Sequence, residues 1–241
     1  MNIALIGYGK MGHEVEIVAH EQKIAIKHIV ASKSSLKKLS KQMLKDVDVC
    51  IDFSSPASTF SIIETVADCG KNIVIGTTGW YDHINDIKQI VKKKKIGLLY
   101  SANFSVGIHL FNKLISSAAH AFDKLDDYDV AIHEAHHSEK KDSPSGTALA
   151  LGRIILEQMD RKKTLFTETS HDIIDPRAIH VTSSRVGTVV GTHQVLFDSD
   201  ADSIELVHRA KNRRGFAIGA LLAASWIKEK KGVYTFNDVL P

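Results

Sequence analysis

The sequence predicts an α/β protein with an N-terminal Rossmann-like parallel sheet and a second α+β domain that carries an open mixed sheet. Two observations predict it. Over the first hundred residues, short apolar strands alternate with helical segments, which is typical of a parallel sheet covered on both faces. After Asn103 the strands are separated by turns, and segments 194–197 and 204–207 predict a hairpin.

Each element follows from the spacing of its apolar residues. Strands of the first domain are expected at 3–6, 24–31, 47–53, 72–76 and 96–100, and helices at 10–20, 56–68 and 81–94. The second domain is expected to contain helices 106–122 and 147–159 and strands 129–133, 178–183, 188–197 and 203–208. A final apolar helix, 216–228, is expected to pack back on the first domain. The predicted domains are therefore residues 1–105, completed by 215–241, and residues 106–214.

Composition favours an ordinary globular protein and excludes several classes of partner. The chain has 241 residues, 44% hydrophobic and 24% charged, with a net charge of +3. That charge suits anionic ligands but is too small to indicate nucleic acid. Cys50 and Cys69 lack metal-ligand spacing and favour a reducing compartment. With no visible signal peptide and no membrane-length apolar run, we expect a cytoplasmic protein without a membrane partner.

A glycine-rich segment follows the first strand and opens the first helix. Gly7, Gly9 and Gly12 permit a tight turn and a close backbone approach, and the free amides of the helix can meet a pyrophosphate. A plain structural turn is the alternative. We expect a dinucleotide to contact Gly7, Tyr8, Gly9, Lys10, Met11 and Gly12.

The end of the second strand indicates which dinucleotide binds. NAD-binding sites usually place an acid there for the ribose hydroxyls, yet no Asp or Glu occurs from Gln22 to Lys45. Ser32, Lys33 and Ser34 would instead suit a 2′-phosphate. The alternative is that Lys33 is only solvated. We therefore expect NADPH as the preferred cofactor, with NADH also accepted.

Two further segments end strands of the predicted parallel sheet, where ligands of such sheets bind. Their small and hydroxyl side chains would let a nicotinamide ring approach, although each alone could be an ordinary turn. The candidate cofactor residues are Gly76, Thr77 and Thr78 in the first segment, and Ser101, Ala102, Asn103 and Phe104 in the second.

The segment 133–147 carries the groups that would bind and protonate a small dianion. His136 and His137 offer imidazoles, which donate protons near neutral pH, and Lys140 adds a positive charge. The helix entrance at Gly146 and Thr147 can hold a carboxylate. The alternative is that the two adjacent histidines lie in an ordinary polar surface loop.

The same segment also matches the zinc-protease pattern H-E-x-x-H. That pattern needs a helix that puts both histidines on one face. Residues 128–132 predict a strand, on which side chains four apart lie about 13 Å apart. We therefore expect no metal.

With these residues in view, the chain resembles the 4-hydroxy-tetrahydrodipicolinate reductase (dihydrodipicolinate reductase) family over nearly its whole length. The matching blocks are 7–12, 51–54, 76–79, 102–107, and 134–137 through Lys140 to 142–148. The last two blocks, 102–107 and 134–148, are highly specific to this family. One departure is the second strand, where many members carry an acid and this chain has Ser32-Lys33.

The resemblance implies NADH- or NADPH-dependent reduction of a small dicarboxylate, 4-hydroxy-tetrahydrodipicolinate, in lysine (diaminopimelate) biosynthesis. It also implies a homotetramer built through the sheet of the second domain, which would bind substrate, whereas the first would bind the dinucleotide. The implied catalytic residues are His136 and Lys140, and the implied substrate contacts are His137, Ser145, Gly146 and Thr147. The alternatives are another Rossmann oxidoreductase acting on an amino-acid-derived acid, and a non-catalytic NAD(P)-sensing protein.

Overall fold

The computed structural model describes residues 1–36 and 38–240, except for the side chains of Lys33 and Ser35. The chain divides into two compact units. Unit 1 comprises Met1–Val106 and the residues from Arg213 onward, and unit 2 comprises Gly107–Asn212. Each unit has its own sheet.

Unit 1 is built on a parallel sheet whose strands follow one another through helices. Its first elements are β1 (Asn2–Ile6), α1 (Lys10–Glu21), β2 (Ala25–Val30), α2 (Lys33–Leu36), β3 (Val49–Asp52), α3 (Pro56–Asp68), β4 (Asn72–Ile75), a 3₁₀ turn (Tyr81–His83), α4 (Ile84–Lys94) and β5 (Gly97–Tyr100). The chain then forms unit 2, whose elements are α5 (Val106–Phe122), β6 (Asp129–His136), α6 (Gly146–Gln158), β7 (Thr164–Phe166), β8 (Ala178–Arg185), β9 (Gly191–Asp198) and β10 (Ser203–Ala210). The chain ends with α7 (Arg214–Ile227), β11 (Gly232–Thr235) and a 3₁₀ turn (Phe236–Asp238).

The sheet of unit 1 has six parallel strands in the order β11-β5-β4-β3-β1-β2. The central strands β3 and β4 are buried at every residue, which explains their continuous apolar character. Side chains of α3 and α4 pack on one face of the sheet, and those of α1 and α7 pack on the other. The predicted return of the final helix to the first domain is thereby confirmed.

Small residues let α7 approach the sheet and the Phe104 segment closely. Ala217, Ala220 and Ala224 are fully buried. A Cβ on Gly219 would lie 1.8 Å from the Phe104 carbonyl oxygen. The end of the helix is held by Asn72 on β4, whose amide donates to the carbonyls of Ile227 (2.7 Å) and Lys228 (2.9 Å).

Unit 2 carries a five-stranded mixed sheet in the order β10-β9-β6-β8-β7. Strand β9 runs antiparallel to both of its neighbours, while β6, β8 and β7 are mutually parallel. The predicted hairpin is confirmed, since Gln194 pairs with Val207 and Phe197 pairs with Ile204. Helices α5 and α6 pack on one face and share a core with alternate residues of β6, β8 and β9.

Several details differ from the sequence-based expectation. Strand β6 continues to His136, so this residue belongs to a strand and not to a loop. Strands β7 and β11 were not predicted, because these short edge strands are only partly buried and lack the continuous apolar run that marks β3 and β4. Among the described residues, no helix is long and apolar enough to cross a membrane.

The contact of Gly219 with the Phe104 carbonyl predicts a strong dependence of stability on this glycine. Gly219→Ala should lower the free energy of unfolding by about 2 kcal/mol or more, because the new methyl group meets rigid backbone. Urea denaturation followed by circular dichroism measures this change.

Gly215→Ala, in the same helix, is the matched control. A Cβ added at Gly215 would have the Ser105 hydroxyl oxygen as its nearest neighbour, at 4.0 Å. Its free energy of unfolding should change by less than about 1 kcal/mol. Equal stability of the two variants would contradict the close approach described for α7.

Candidate active site

The glycine-rich turn of unit 1 uses each glycine differently. Gly7 has φ of +86°, and its Cβ would lie 2.3 Å from the Phe53 carbonyl oxygen. At Gly12, a Cβ would lie 2.5 Å from the Gly7 carbonyl oxygen, so this glycine allows α1 to pack on the turn. At Gly9, no neighbouring atom lies within 4 Å of the position that a Cβ would take, which leaves open space for a ligand.

A cavity of about 330 Å³ lies beside this turn. It extends from the ends of β1 and β2 to the segment after β3, and it is lined by Gly7, Tyr8, Gly9, Val30, Ala31, Ser32, Leu36, Phe53, Ser54, Ser55 and Ser58. Ser32 and Ser34 lie 2.9 Å apart through their hydroxyls. The side chain of Lys33 lies outside the described part of the chain, so its predicted contact remains a prediction.

A second cavity, of about 240 Å³, lies on the other side of Phe53. Its lining residues are Met11, Phe53, Gly76, Ala102, Asn103, Phe104, Arg213 and Phe216. Gly76 is required there because a Cβ would lie 2.0 Å from the Phe53 ring. The structure thus brings both predicted strand-end segments and the glycine-rich segment to two cavities that share Phe53.

Buried hydrogen bonds fix the strand ends that line these cavities. Asp52 ends β3 with a fully buried carboxylate that accepts from the Thr77 hydroxyl (2.9 Å) and the Ser54 amide (3.1 Å). Burial raises the pKa of Asp52, although these donors oppose the shift. The Thr77 hydroxyl is thereby directed inward, whereas Thr78 is exposed. Ser101 closes the next turn by donating to the Asn103 carbonyl (2.5 Å).

In unit 2, the end of β6 carries a buried pair, Glu134 and His136. Glu134 is fully buried and His136 is 8% exposed. The carboxylate of Glu134 contacts Nδ1 of His136, and it also pairs with the Arg185 guanidinium at 2.8 Å. The Ser145 amide, at the start of α6, donates to the same carboxylate at 3.3 Å.

These contacts shift the protonation of both groups. Burial raises the pKa of Glu134, but Arg185 and His136 outweigh that effect and hold it below its ordinary value. Burial lowers the pKa of His136, and the charges of Lys140 and Arg185 add to this, while Glu134 opposes it. The net pKa of His136 lies below the usual histidine value, so its protonated form is favoured only on the acid side.

His193 on β9 completes the polar cluster. Its ring meets that of His136 edge-on at 5.2 Å, and its Nε2 lies 3.2 Å from the Ser145 hydroxyl. Burial lowers its pKa to about 4, with the charge of His136 adding to the effect. The Ser145 hydroxyl also caps α6 by accepting from the Ala148 amide at 3.2 Å.

The remaining predicted residues of this segment surround the start of α6. Lys140 pairs with Asp142 (2.7 Å), and its amide donates to the His137 carbonyl (3.1 Å). Gly146 is exposed, with no atom within 4 Å of the position its Cβ would take. Such an open helix start can accept an anion at its free amides.

The cluster also bears on the metal alternative. One ligand atom from each of Glu134, His136 and His193 lies within 4.8 Å of the others, a spacing that could hold an ion. However, the carboxylate already has the Arg185 guanidinium as its cation. The H-E-x-x-H pattern of zinc proteases requires a helix. Here the segment from His133 to His136 is part of a strand, and the His133 ring contacts the Thr182 hydroxyl (2.8 Å).

Sequence reasoning did not assign several residues that the structure places at these sites. Glu134, Arg185, His193 and Gly191 adjoin His136, and Phe53, Ser54 and Phe216 line the cavities. The block 51–54 was visible as a family match, but Arg185 and His193 are single residues on later strands. Only the pairing of β6 with β8 and β9 brings them to His136.

Comparison with known proteins shows to which family the chain belongs. Family models described as dihydrodipicolinate reductase, N-terminus and C-terminus, match residues 1–104 and 107–240. A 4-hydroxy-tetrahydrodipicolinate reductase from Christiangramia forsetii is 40% identical over 100% of this chain and 98% of its own length. One from Buchnera aphidicola subsp. Cinara cedri is 38% identical over 97% and 86%.

A solved structure shows the same fold. The dipicolinate-bound dihydrodipicolinate reductase from Paenisporosarcina sp. TG-14 superposes with a TM-score of 0.80, covering 100% of this chain and 99% of that chain at 24% identity. The full-length relatives set aside a non-catalytic sensor and an unrelated Rossmann oxidoreductase. The chain therefore belongs to the dihydrodipicolinate reductase family, the nicotinamide-dependent 4-hydroxy-tetrahydrodipicolinate reductases of lysine biosynthesis.

Proposed function

We propose that, within this reductase, His136 donates the proton to the substrate and the start of α6 holds a substrate carboxylate. The observation that carries this proposal is the buried His136 ring beside the capped start of α6. Its Nδ1 is engaged by Glu134, so Nε2 is the nitrogen left for a substrate. Lys140 contributes positive charge near the same point.

A dicarboxylate fits the charges of this part of unit 2. Gly146 and Thr147 offer helix-start amides, and His137 and Lys140 offer a ring nitrogen and an ammonium group. Ser145 acts indirectly, since its hydroxyl caps the helix that presents those amides. The relative from Paenisporosarcina is named as binding dipicolinate, an aromatic dicarboxylate, which supports this class of substrate.

The two cavities of unit 1 fit a nicotinamide dinucleotide. Gly9 leaves room for a pyrophosphate beside the α1 amides, and the cavity at Gly76, Asn103 and Phe104 would take the nicotinamide ring. When bound, this cofactor supplies the hydride. The chain contributes orientation through its fixed strand ends, and proton donation through His136.

His136→Gln tests the proposed proton donor. The variant should lower kcat by about 10²- to 10⁴-fold, the usual share of a general acid, and should leave KM for NADPH nearly unchanged. Steady-state loss of NADPH absorbance with 4-hydroxy-tetrahydrodipicolinate measures both constants.

The matched control is His133→Gln. His133 lies on the same strand, half-exposed, and contacts Thr182 on β8. It should keep kcat near that of the unmodified enzyme. Full turnover by His136→Gln would remove His136 from the chemistry.

We also propose a preference for NADPH over NADH, because residues 22–45 contain no carboxylate to bind the ribose hydroxyls. Lys33→Ala should raise KM for NADPH by about 5-fold, since a screened surface charge contributes modestly, and should leave KM for NADH unchanged.

Lys27→Ala, an exposed lysine on β2, is the control for loss of one positive charge. It should change neither constant. If Lys33→Ala and Lys27→Ala behave alike and both cofactors are used equally well, this loop does not recognise the 2′ position.

Finally, we propose that the chain forms a homotetramer through the sheet face of unit 2 that lies opposite α5 and α6. On this face Ala135, Gln194 and Leu196 are half-exposed. Leu196→Glu should dissociate the assembly, since buried charge opposes association. Light scattering should give four times the 26.6 kDa chain mass for the parent and less for this variant.

Ile17→Glu on α1, where Ile17 is 50% exposed, adds the same charge in unit 1. It should keep the parent mass. A monomeric parent, or a Leu196→Glu variant that keeps the tetramer mass, would contradict this assembly.

A further inference from the structure

Glu134 is a fully buried carboxylate whose contacts are all internal to unit 2. Among them are His136, Arg185 and the amide of Ser145. A charge in such a place destabilises the fold unless it is fully paired. Proton donation by His136 does not by itself require it, so its presence needs a separate explanation.

We propose that Glu134 is a positioning residue that fixes the tautomer and orientation of His136, and that Arg185 sets the strength of this effect. The proposal rests on His136 being the proton donor. By accepting a hydrogen bond from Nδ1–H, Glu134 keeps that proton on Nδ1 and leaves Nε2 as the nitrogen that gains and gives the transferred proton.

The surroundings of Nε2 agree with this direction. An added Cβ on Gly191 would lie 3.0 Å from Nε2 of His136, so the absent side chain keeps that nitrogen accessible. The backbone of His136 is held as well, because its carbonyl accepts from the Val186 amide at 2.9 Å. The ring is therefore held at Nδ1, and at Nε2 the glycine at 191 leaves space that a side chain would fill.

The proton transfer balances without any further reactant. The Nε2–H bond of the imidazolium breaks as the substrate takes the proton, and the ring is left neutral with its other proton on Nδ1, facing Glu134. Solvent then returns a proton to Nε2. The carboxylate stabilises the charged ring throughout and does not itself become protonated.

The charged and titratable groups around His136 act in opposite directions. Glu134 on β6 favours the imidazolium, whereas Arg185 on β8 and Lys140 in the following loop disfavour it. His193 on β9 is neutral near pH 7. Removing Glu134 and removing Arg185 should therefore move the pH dependence of kcat to opposite sides of the parent profile.

The test compares pH profiles of kcat for Glu134→Gln and Arg185→Met with the parent enzyme. Turnover needs protonated His136, so it falls as pH rises through the pKa of that ring. For Glu134→Gln the fall should come at lower pH, with kcat at pH 7 reduced at least about 10-fold, as for other orienting partners. For Arg185→Met the fall should come at higher pH.

A second readout reports the tautomer directly. In ¹⁵N spectra, assigned by the signal that His136→Gln loses, the neutral ring of the parent should carry its proton on Nδ1. In Glu134→Gln that preference should be lost. KM for NADPH should stay within about 2-fold of the parent in all variants, because the cofactor cavities belong to unit 1.

Glu134→Asp keeps the charge and covers the case in which Glu134→Gln does not fold. It should retain the Nδ1–H tautomer, and its pH profile should lie between those of Glu134→Gln and the parent. The proposal would be overturned if the pH profiles of Glu134→Gln and Arg185→Met match that of the parent or shift in the same direction. It would also be overturned if the tautomer of His136 is unaltered in Glu134→Gln. Full turnover by His136→Gln would instead overturn the proton-donor role on which it rests.

Discussion

A single buried negative charge organises the polar end of unit 2. The Glu134 carboxylate accepts from the start of α6, pairs with a guanidinium from β8 and meets the His136 ring on its own strand. Three elements must therefore be in register before this charge is satisfied. Since an unpaired buried carboxylate costs several kcal/mol, the same contacts that prepare the site also select its folded arrangement.

Unit 1 prepares its ligand site by the opposite means, the absence of side chains. Gly7 and Gly76 meet the backbone and ring of Phe53 at distances that leave no room for a Cβ, while Gly9 faces open space. Asp52 then ties the ends of β3 and β4 together. Under the proposed function, unit 1 would meet the dinucleotide by close backbone approach, and unit 2 would meet the small dianion by directed charge.

How much could be predicted from sequence depended on whether the signal was local. The alternation of β1 to β5 with helices and the hairpin of β9 with β10 are each contained in short stretches, and the structure confirms both. The proposed cofactor segments are equally local, and residues from each of them line the two cavities of unit 1. The extension of β6 to His136 was missed because His136-His137-Ser138 is polar and resembles a loop. In the structure His136 is buried and contacts Glu134, whereas Ser138 is exposed.

The residues around His136 escaped prediction for a different reason. Arg185 and His193 lie about fifty residues further along the chain, and only strand pairing brings them near. A single arginine at the end of a strand, such as Arg185, forms no sequence motif that would mark it as part of a site. Sheet register, which depends on the whole of unit 2, is what gives it a partner.

The discontinuity of unit 1 has a consequence for how the protein is made. Its edge strand β11 and its helix α7 follow the whole of unit 2 in the sequence. The Asn72 amide can donate to the carbonyls of Ile227 and Lys228 only after that helix has been made. During synthesis from the N-terminus, unit 2 has its full sequence on leaving the ribosome before unit 1 does. Until α7 emerges, the face of the sheet that α1 and α7 share is covered by α1 alone, and the apolar residues that α7 will cover are a natural target for chaperones.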